Sequence, residues 1–200
     1  DCVNLRDDGS AFRQYEKLRP VAGNAFGALL SQYCVTLTTA VVRRRIVQDH
    51  VLWFDPAFTV LPDADFFLRV AFHCALDWVD EPLALVRLHR QSAMHVGRSR
   101  LPAELRAVLE KQRRLHPDFD RTFAADIARF ELGLARTEAR IAWELGQRQA
   151  AIRLLRPYRR RSFAATKESL VMRCLPYAAY DRLRLAVDRL RPHPLRGASA

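Results

Sequence analysis

Lysine is nearly absent from this chain. Its basic residues are 30 Arg and only 3 Lys, set against 22 Asp and Glu, for a formal charge of +11 over 200 residues. Such a bias partly follows coding composition, so arginine abundance alone does not mark phosphate-binding forks. Net charge speaks to partners rather than to fold: an anionic membrane face, a nucleotide or a nucleic acid would each be attracted. Also missing is any run approaching the roughly 18 apolar residues that cross a bilayer as a helix. No secretory pattern follows Asp1, and the expectation is a chain that begins partway through a longer protein or has been trimmed. The four cysteines, Cys2, Cys34, Cys74 and Cys174, show no Cys-x-x-Cys spacing, which removes the common zinc frameworks. His50, His73, His95, His116 and His193 likewise lack a metal-ligand spacing. Scattered thiols point to a reducing cytoplasm. No helix-turn-helix, finger or aromatic stacking motif accompanies the charge.

What is present is apolar residue enough, at 50%, for one or two domains with a core. Asp7-Asp8-Gly9-Ser10 reads as a turn in a polar opening stretch. Helical spacing over Ala22 to Tyr33 predicts a short helix, and the Thr- and Val-rich run Val35 to Val42 predicts a buried strand that opens the sheet. A short helix is expected after Arg43-Arg44-Arg45. Ala64 to Leu76 is the best helix of this half, with Phe67, Val70, Ala71 and Cys74 on its apolar side, His73 at the edge and Arg69 nearly opposite. Trp78 to Val79 and Leu83 to Leu88 read as short strands around Asp80-Glu81-Pro82. Beyond Gly97 strand-like alternation stops. Helices are expected over Leu101 to Leu115, over Asp118 to about Leu155 with Gly146 as a break, then over Phe163 to Leu175 and Tyr177 to Arg191, before a tail marked by Pro192, Pro194 and Gly197.

The stretch Phe54 to Ser92 carries the chemistry-bearing residues. It reads Phe54-Asp55, then Asp63-Ala64-Asp65, then Phe67-Leu68-Arg69-Val70-Ala71, then Val86-Arg87-Leu88-His89. This order resembles the C-terminal half of the catalytic domain of family 2 glycosyltransferases of the GT-A fold, over roughly residues 20 to 95. Two departures from the family pattern stand out: Pro62 where a Glu is usual, and Trp53 where a Gly is common. The resemblance implies an α/β chain: residues 1–97 as the acceptor-side part of a GT-A-like mixed sheet domain, followed by an all-α extension over 98–200. It implies transfer of a sugar, with inversion, from a nucleotide-sugar donor to a hydroxyl of a glycan or lipid-linked acceptor. That chemistry belongs to cell-surface or lipid-linked glycan synthesis at the cytoplasmic side, with a peripheral contact to anionic membrane.

By the resemblance, Asp63 is the base that takes the acceptor's proton, and a carboxylate at a rigid helix start suits that task. The same residue could also cap the helix. Asp65 is either a first-turn charge favoured by the helix dipole or a group that orients substrate. Arg69, four residues on, either pairs with Asp65 on the helix surface or meets substrate. Arg87 and His89, two apart on a strand, share a face; they could bind the leaving diphosphate and help hold a metal, or simply be a solvated strand end. Phe54 reads as a loop anchor.

The family's metal, Mg²⁺ or Mn²⁺, is held mainly by a D-x-D motif at the end of an apolar strand. Asp118-Phe119-Asp120 opens a helix instead, and Asp63-Ala64-Asp65 follows a short proline-broken stretch, so the base reading of Asp63 is preferred to a metal motif. The nucleotide-binding half is therefore expected outside these residues, and this chain alone is expected to be inactive. The rival reading is a basic helical interaction module, residues 98–200 binding anionic membrane or, with less support, nucleic acid. For the last helix, Tyr180, Leu183, Val187 and Leu190 form one apolar side that could pack on the protein or lie at a membrane; its narrowness, and Asp181 and Asp188 diluting the positive charge, favour packing.

Overall fold

The structure, a computed structural model, describes residues 1–189 except 17, 90 and 93–95. His95, Leu190, Arg191, His193 and the proline-bearing tail lie outside the described residues. In chain order the elements are β1 (Val3–Arg6), β2 (Ala11–Arg13), α1 (Phe26–Ser31), α2 (Arg44–Asp49), α3 (Pro62–His73), β3 (Leu85–Leu88), α4 (Leu101–Leu115), α5 (Phe119–Thr122), α6 (Ala124–Glu144), α7 (Arg148–Leu155), α8 (Phe163–Cys174) and α9 (Tyr177–Arg189). The protein is mixed α/β, with a small three-stranded mixed sheet and a helical C-terminal region. Among the described residues no helix is long and apolar enough to cross a membrane.

Two compact units divide the chain, the first running Asp1–Ile127 and the second starting at Ala128. In the first, the sheet order is β2-β1-β3. β1 and β2 form an antiparallel hairpin about Asp7-Asp8-Gly9-Ser10, where the Asp8 carboxylate accepts from the Ser10 amide at 3.0 Å and Gly9 takes a positive φ of 78°. β1 also pairs in parallel with β3, in the register Val3–Leu85 to Arg6–Leu88. The turn was legible in the sequence; the strands beside it, three and four residues long, were not.

The expected strand over Val35 to Val42 is not formed. Leu37–Thr39 closes instead into a 3₁₀ turn, in which the Thr36 carbonyl accepts from the Thr39 amide at 2.9 Å and the Thr39 hydroxyl at 3.1 Å. Threonine hydroxyls compete in this way with a sheet ladder. Val35, Ala40 and Val42 still reach the core from this loop, whereas Val41 is 96% exposed. The sheet therefore starts at Val3, not Val35. Trp78–Val79 is not a strand either: Leu76 makes a single bridge to Gly23, and Trp78 sets its ring edge-on to Tyr15.

Helix α3 is the centre of the first unit. Pro62 occupies its first turn, where a missing N–H costs nothing, and Asp63 and Asp65 sit there in favour with the helix dipole. Ala64 through Ala71 is buried without interruption. Phe66, Phe67 and Val70 pack with Leu52, and each buried side chain of this size stabilises by about 1.5–3 kcal/mol. Among the described residues beyond Gly97 there is no strand. The compact unit nevertheless runs on to Ile127, because α4 packs against α3.

The second unit is built from α6 beyond Ile127 together with α7, α8 and α9. Ala139, Ala142, Trp143, Ala151, Leu155 and Met172 form its core. Gly146 ends α6 with φ +79°: its amide donates to the Trp143 carbonyl at 3.0 Å, and the Gln147 amide to the Ala142 carbonyl at 2.8 Å. This is the paired closure of a Schellman turn, which needs a left-handed residue at that place. In α9, Tyr177 and Tyr180 pack on Trp143, while Leu183 and Val187 are exposed.

Candidate functional site

The first turn of α3 presents two carboxylates in different surroundings. Asp65 is fully buried. Its Oδ2 accepts from Arg69 Nε at 3.1 Å, from Arg69 Nη2 at 2.7 Å and from Lys111 Nζ at 2.9 Å. Lys111, reaching over from α4, also donates to Asp55 Oδ2 at 2.6 Å, and Arg69 Nη2 donates to the Trp53 carbonyl at 2.6 Å. Two acids and two bases thus close a neutral network from three separate chain segments. Phe54 caps it by stacking on Phe66 at 4.5 Å, and Lys111 lies 5.3 Å from the Phe58 ring centroid. The Lys111 hydrogen bond holds the Asp55 carboxyl below the usual range, with help from the Ala57 amide.

Arg69 departs from its expected place opposite the apolar side of the helix. It is 9% exposed, and its pairing with Asp65 is internal rather than on the helix surface. A buried acid at position 65 makes the difference. Left uncompensated it would cost several kcal/mol, and a cation one turn away on the same helix reduces that cost.

Asp63 has no cationic partner in this network. It is half-buried, and its Oδ2 accepts a single side-chain hydrogen bond, from the Tyr33 hydroxyl at 3.3 Å. Burial pushes its carboxyl above the usual carboxylate value, against the smaller opposing pull of the Ala64 amide, its own amide and the Tyr33 hydroxyl. Tyr33 itself is pushed upward by burial and by the Asp63 charge, so it stays protonated and donates.

A further carboxylate, from α4, sets the approach to this turn. Glu104 accepts from three consecutive backbone amides: Thr59 at 3.0 Å, Val60 at 2.8 Å and Leu61 at 2.9 Å. Leu61 is the residue before α3, so Glu104 fixes the direction in which the helix begins. Sequence reasoning passed over Tyr33, Glu104 and Lys111. A signal existed for the last two. Glu104, Val108, Lys111 and Gln112 recur at i, i+4, i+7 and i+8, which puts charged and amide groups in the inward stripe of α4.

Arg87 and His89 are placed elsewhere. Both are exposed, Arg87 on the edge strand β3 and His89 just past it, and neither hydrogen-bonds to the α3 cluster. Among the described residues no group of three or more His, Cys, Asp or Glu converges to hold a metal. The acids at α3 do not fit one: Asp65 is already neutralised by two cations, and Asp63 stands in its own hydrogen bonds apart from them.

No family model, curated protein or solved structure matches this chain.

Proposed function

We propose that this chain is the acceptor-side part of an inverting, family 2-like GT-A glycosyltransferase, with Asp63 as its base. The observation that carries the reading is the unequal treatment of the two carboxylates of Asp63-Ala64-Asp65. Asp65 is consumed by Arg69 and Lys111, and its burial keeps it from substrate; its role is to hold the first turn of α3. Asp63, two residues earlier and free of cations, keeps lone pairs for an incoming hydroxyl and has its proton affinity raised by burial. Two acids whose surroundings separate their roles in this way form a recurring pattern in acid–base sites. Asp55 and Arg69, two further charged members of the phrase that carries the resemblance, converge on the network of Asp65, whereas Arg87 does not.

In the proposed reaction the acceptor oxygen attacks the anomeric carbon while its proton passes to an Asp63 carboxylate oxygen. The bond from that carbon to the donor phosphate breaks as the new one forms, and the nucleoside diphosphate leaves with the electron pair. The divalent metal, Mg²⁺ or Mn²⁺, belongs in this reading with the D-x-D acids of a nucleotide-binding half and would steady the diphosphate. No residue of the α3 cluster is assigned to it. Arg87, exposed on the sheet edge, is assigned to the leaving group. The acceptor is a glycan or a lipid-linked glycan met at the cytoplasmic face of a membrane.

The test uses the full-length protein with a panel of nucleotide-sugars and divalent metals, measuring nucleoside diphosphate release with and without glycan acceptors. Metal-dependent release that requires Asp63, with donor binding kept in Asp63→Asn, is expected. Turnover that survives Asp63→Asn, or no consumption of any donor in the panel, would overturn the reading.

A further inference from the structure

The second unit contains a cavity of about 410 Å³ that the proposed sugar transfer does not use. Its wall is aromatic. Trp143 and Tyr180 line it with their ring centroids 5.0 Å apart, and Phe163, 83% exposed, stands at its rim. Three cations, Arg136, Arg140 and Lys167, also line it, against a single carboxylate, Glu168. Glu168 is already engaged. Arg136 donates to it twice, at 2.9 Å and 2.6 Å, and Arg140 approaches it to 3.7 Å. One carboxylate offsets one of the three positive charges and leaves about two uncompensated around an apolar wall. Behind that wall Trp143 is 4% exposed, and its indole N–H is buried with no acceptor from the protein. Buried donors of this kind are few in native structures, and each carries a cost until it is met.

We infer that this cavity binds a small organic anion with a flat aromatic body, the rings packing on Tyr180 and Phe163 beside the buried Trp143 and the anionic group meeting Arg140 and Lys167. The volume is in the range of small-molecule sites, which are mainly apolar with a few placed polar groups. The pairing of Arg136 with Glu168 fixes one wall and leaves Arg140 and Lys167 as the groups that recognise charge. The inference rests on the second unit alone and is independent of the role given to Asp63.

Two fluorescent probes sharing one aromatic body test it on the whole chain: 8-anilino-1-naphthalenesulfonate, and N-phenyl-1-naphthylamine, which lacks the sulfonate. The sulfonate probe is expected to bind one per chain, with emission sensitised by Trp143, and at least about tenfold more tightly than the neutral one; tenfold corresponds to about 1.4 kcal/mol. The double variant Arg140→Ala/Lys167→Ala should weaken the sulfonate probe by a similar factor and leave the neutral probe within about twofold. Equal binding of the two probes by the unaltered protein would overturn the inference, and that comparison needs no variant to fold. Unchanged sulfonate affinity in a folded double variant, or several equivalent sites per chain, would overturn it as well.

Discussion

Replacing Glu104 should destabilise the first unit by an amount that depends on how many amide acceptors survive. In Glu104→Ala the amides of Thr59, Val60 and Leu61 all lose their acceptor. Thr59 is exposed and can turn to water, so its loss costs little. Val60 and Leu61 are buried, and an orphaned buried donor costs about 1–3 kcal/mol, so the pair should cost about 2–6 kcal/mol. Glu104→Gln is a finer probe. Both buried amides bind Oε2, and only Thr59 binds Oε1, so a glutamine that sets its carbonyl at the Oε2 position keeps the two bonds that matter. What it loses is the charge assistance and the exposed bond, about 1–2 kcal/mol in all. Urea unfolding followed by Trp53 and Trp78 fluorescence reads this unit, with Trp143→Phe in every protein including the reference so that the second unit stays silent. Hydrogen exchange at the Val60 and Leu61 amides gives the local counterpart: much faster in the alanine variant, slightly faster in the glutamine variant. If Gln and Ala prove equally destabilising, or if Ala costs less than about 1 kcal/mol, the amide account of Glu104 is wrong.

Four further outcomes are expected. Lys111→Met should cost about 2–4 kcal/mol, because it strips a cation from the fully buried Asp65, while Asp55→Asn, at the exposed end of the same bridge, should cost under about 1 kcal/mol; denaturation midpoints that rank the two the other way would refute the asymmetry. Under the sugar transfer proposed above, Asp63→Asn should lower kcat by about 10²- to 10⁴-fold with KM for the donor little changed, and nucleotide release in a steady-state assay checks it. The Asp63 carboxyl is raised in the fold above its ordinary 3.8, so the folded state holds the proton longer than the unfolded state does. Stability from this group is therefore greatest below 3.8 and falls as pH rises through the raised value, and that slope should vanish in Asp63→Asn when unfolding is measured from pH 3 to 7. Gly146→Ala should lower the stability of the second unit by about 1–2 kcal/mol, the cost of a left-handed backbone at a residue with a Cβ, and a melt of α6 to α9 helicity by circular dichroism reads it.

Local signals in the sequence determined the helices of this protein. Leu101 to Leu115 forms over the expected residues, α3 starts at a proline followed by acids, and Gly146 breaks the long helical stretch where its freedom of φ is needed. Each of these depends on neighbours within about one turn, so a linear reading reaches them. Only the tertiary structure decided the sheet and the charge network. β1 pairs with β3 across some eighty residues, and nothing local in three or four residues of strand announces such a partner. Val35 to Val42 has strand composition, but its threonines found closer hydrogen bonds in a turn before any neighbouring strand could offer a ladder. Arg69 faces away from the apolar side of an isolated α3, yet it is drawn inward because Asp65 is buried and Trp53 presents a carbonyl there. Which of two carboxylates in the same helical turn is neutralised was likewise settled by Lys111, a side chain 46 residues further along, arriving beside Asp65 and not beside Asp63. Burial and charge pairing depend on what packs alongside, and that is set by the folded chain as a whole.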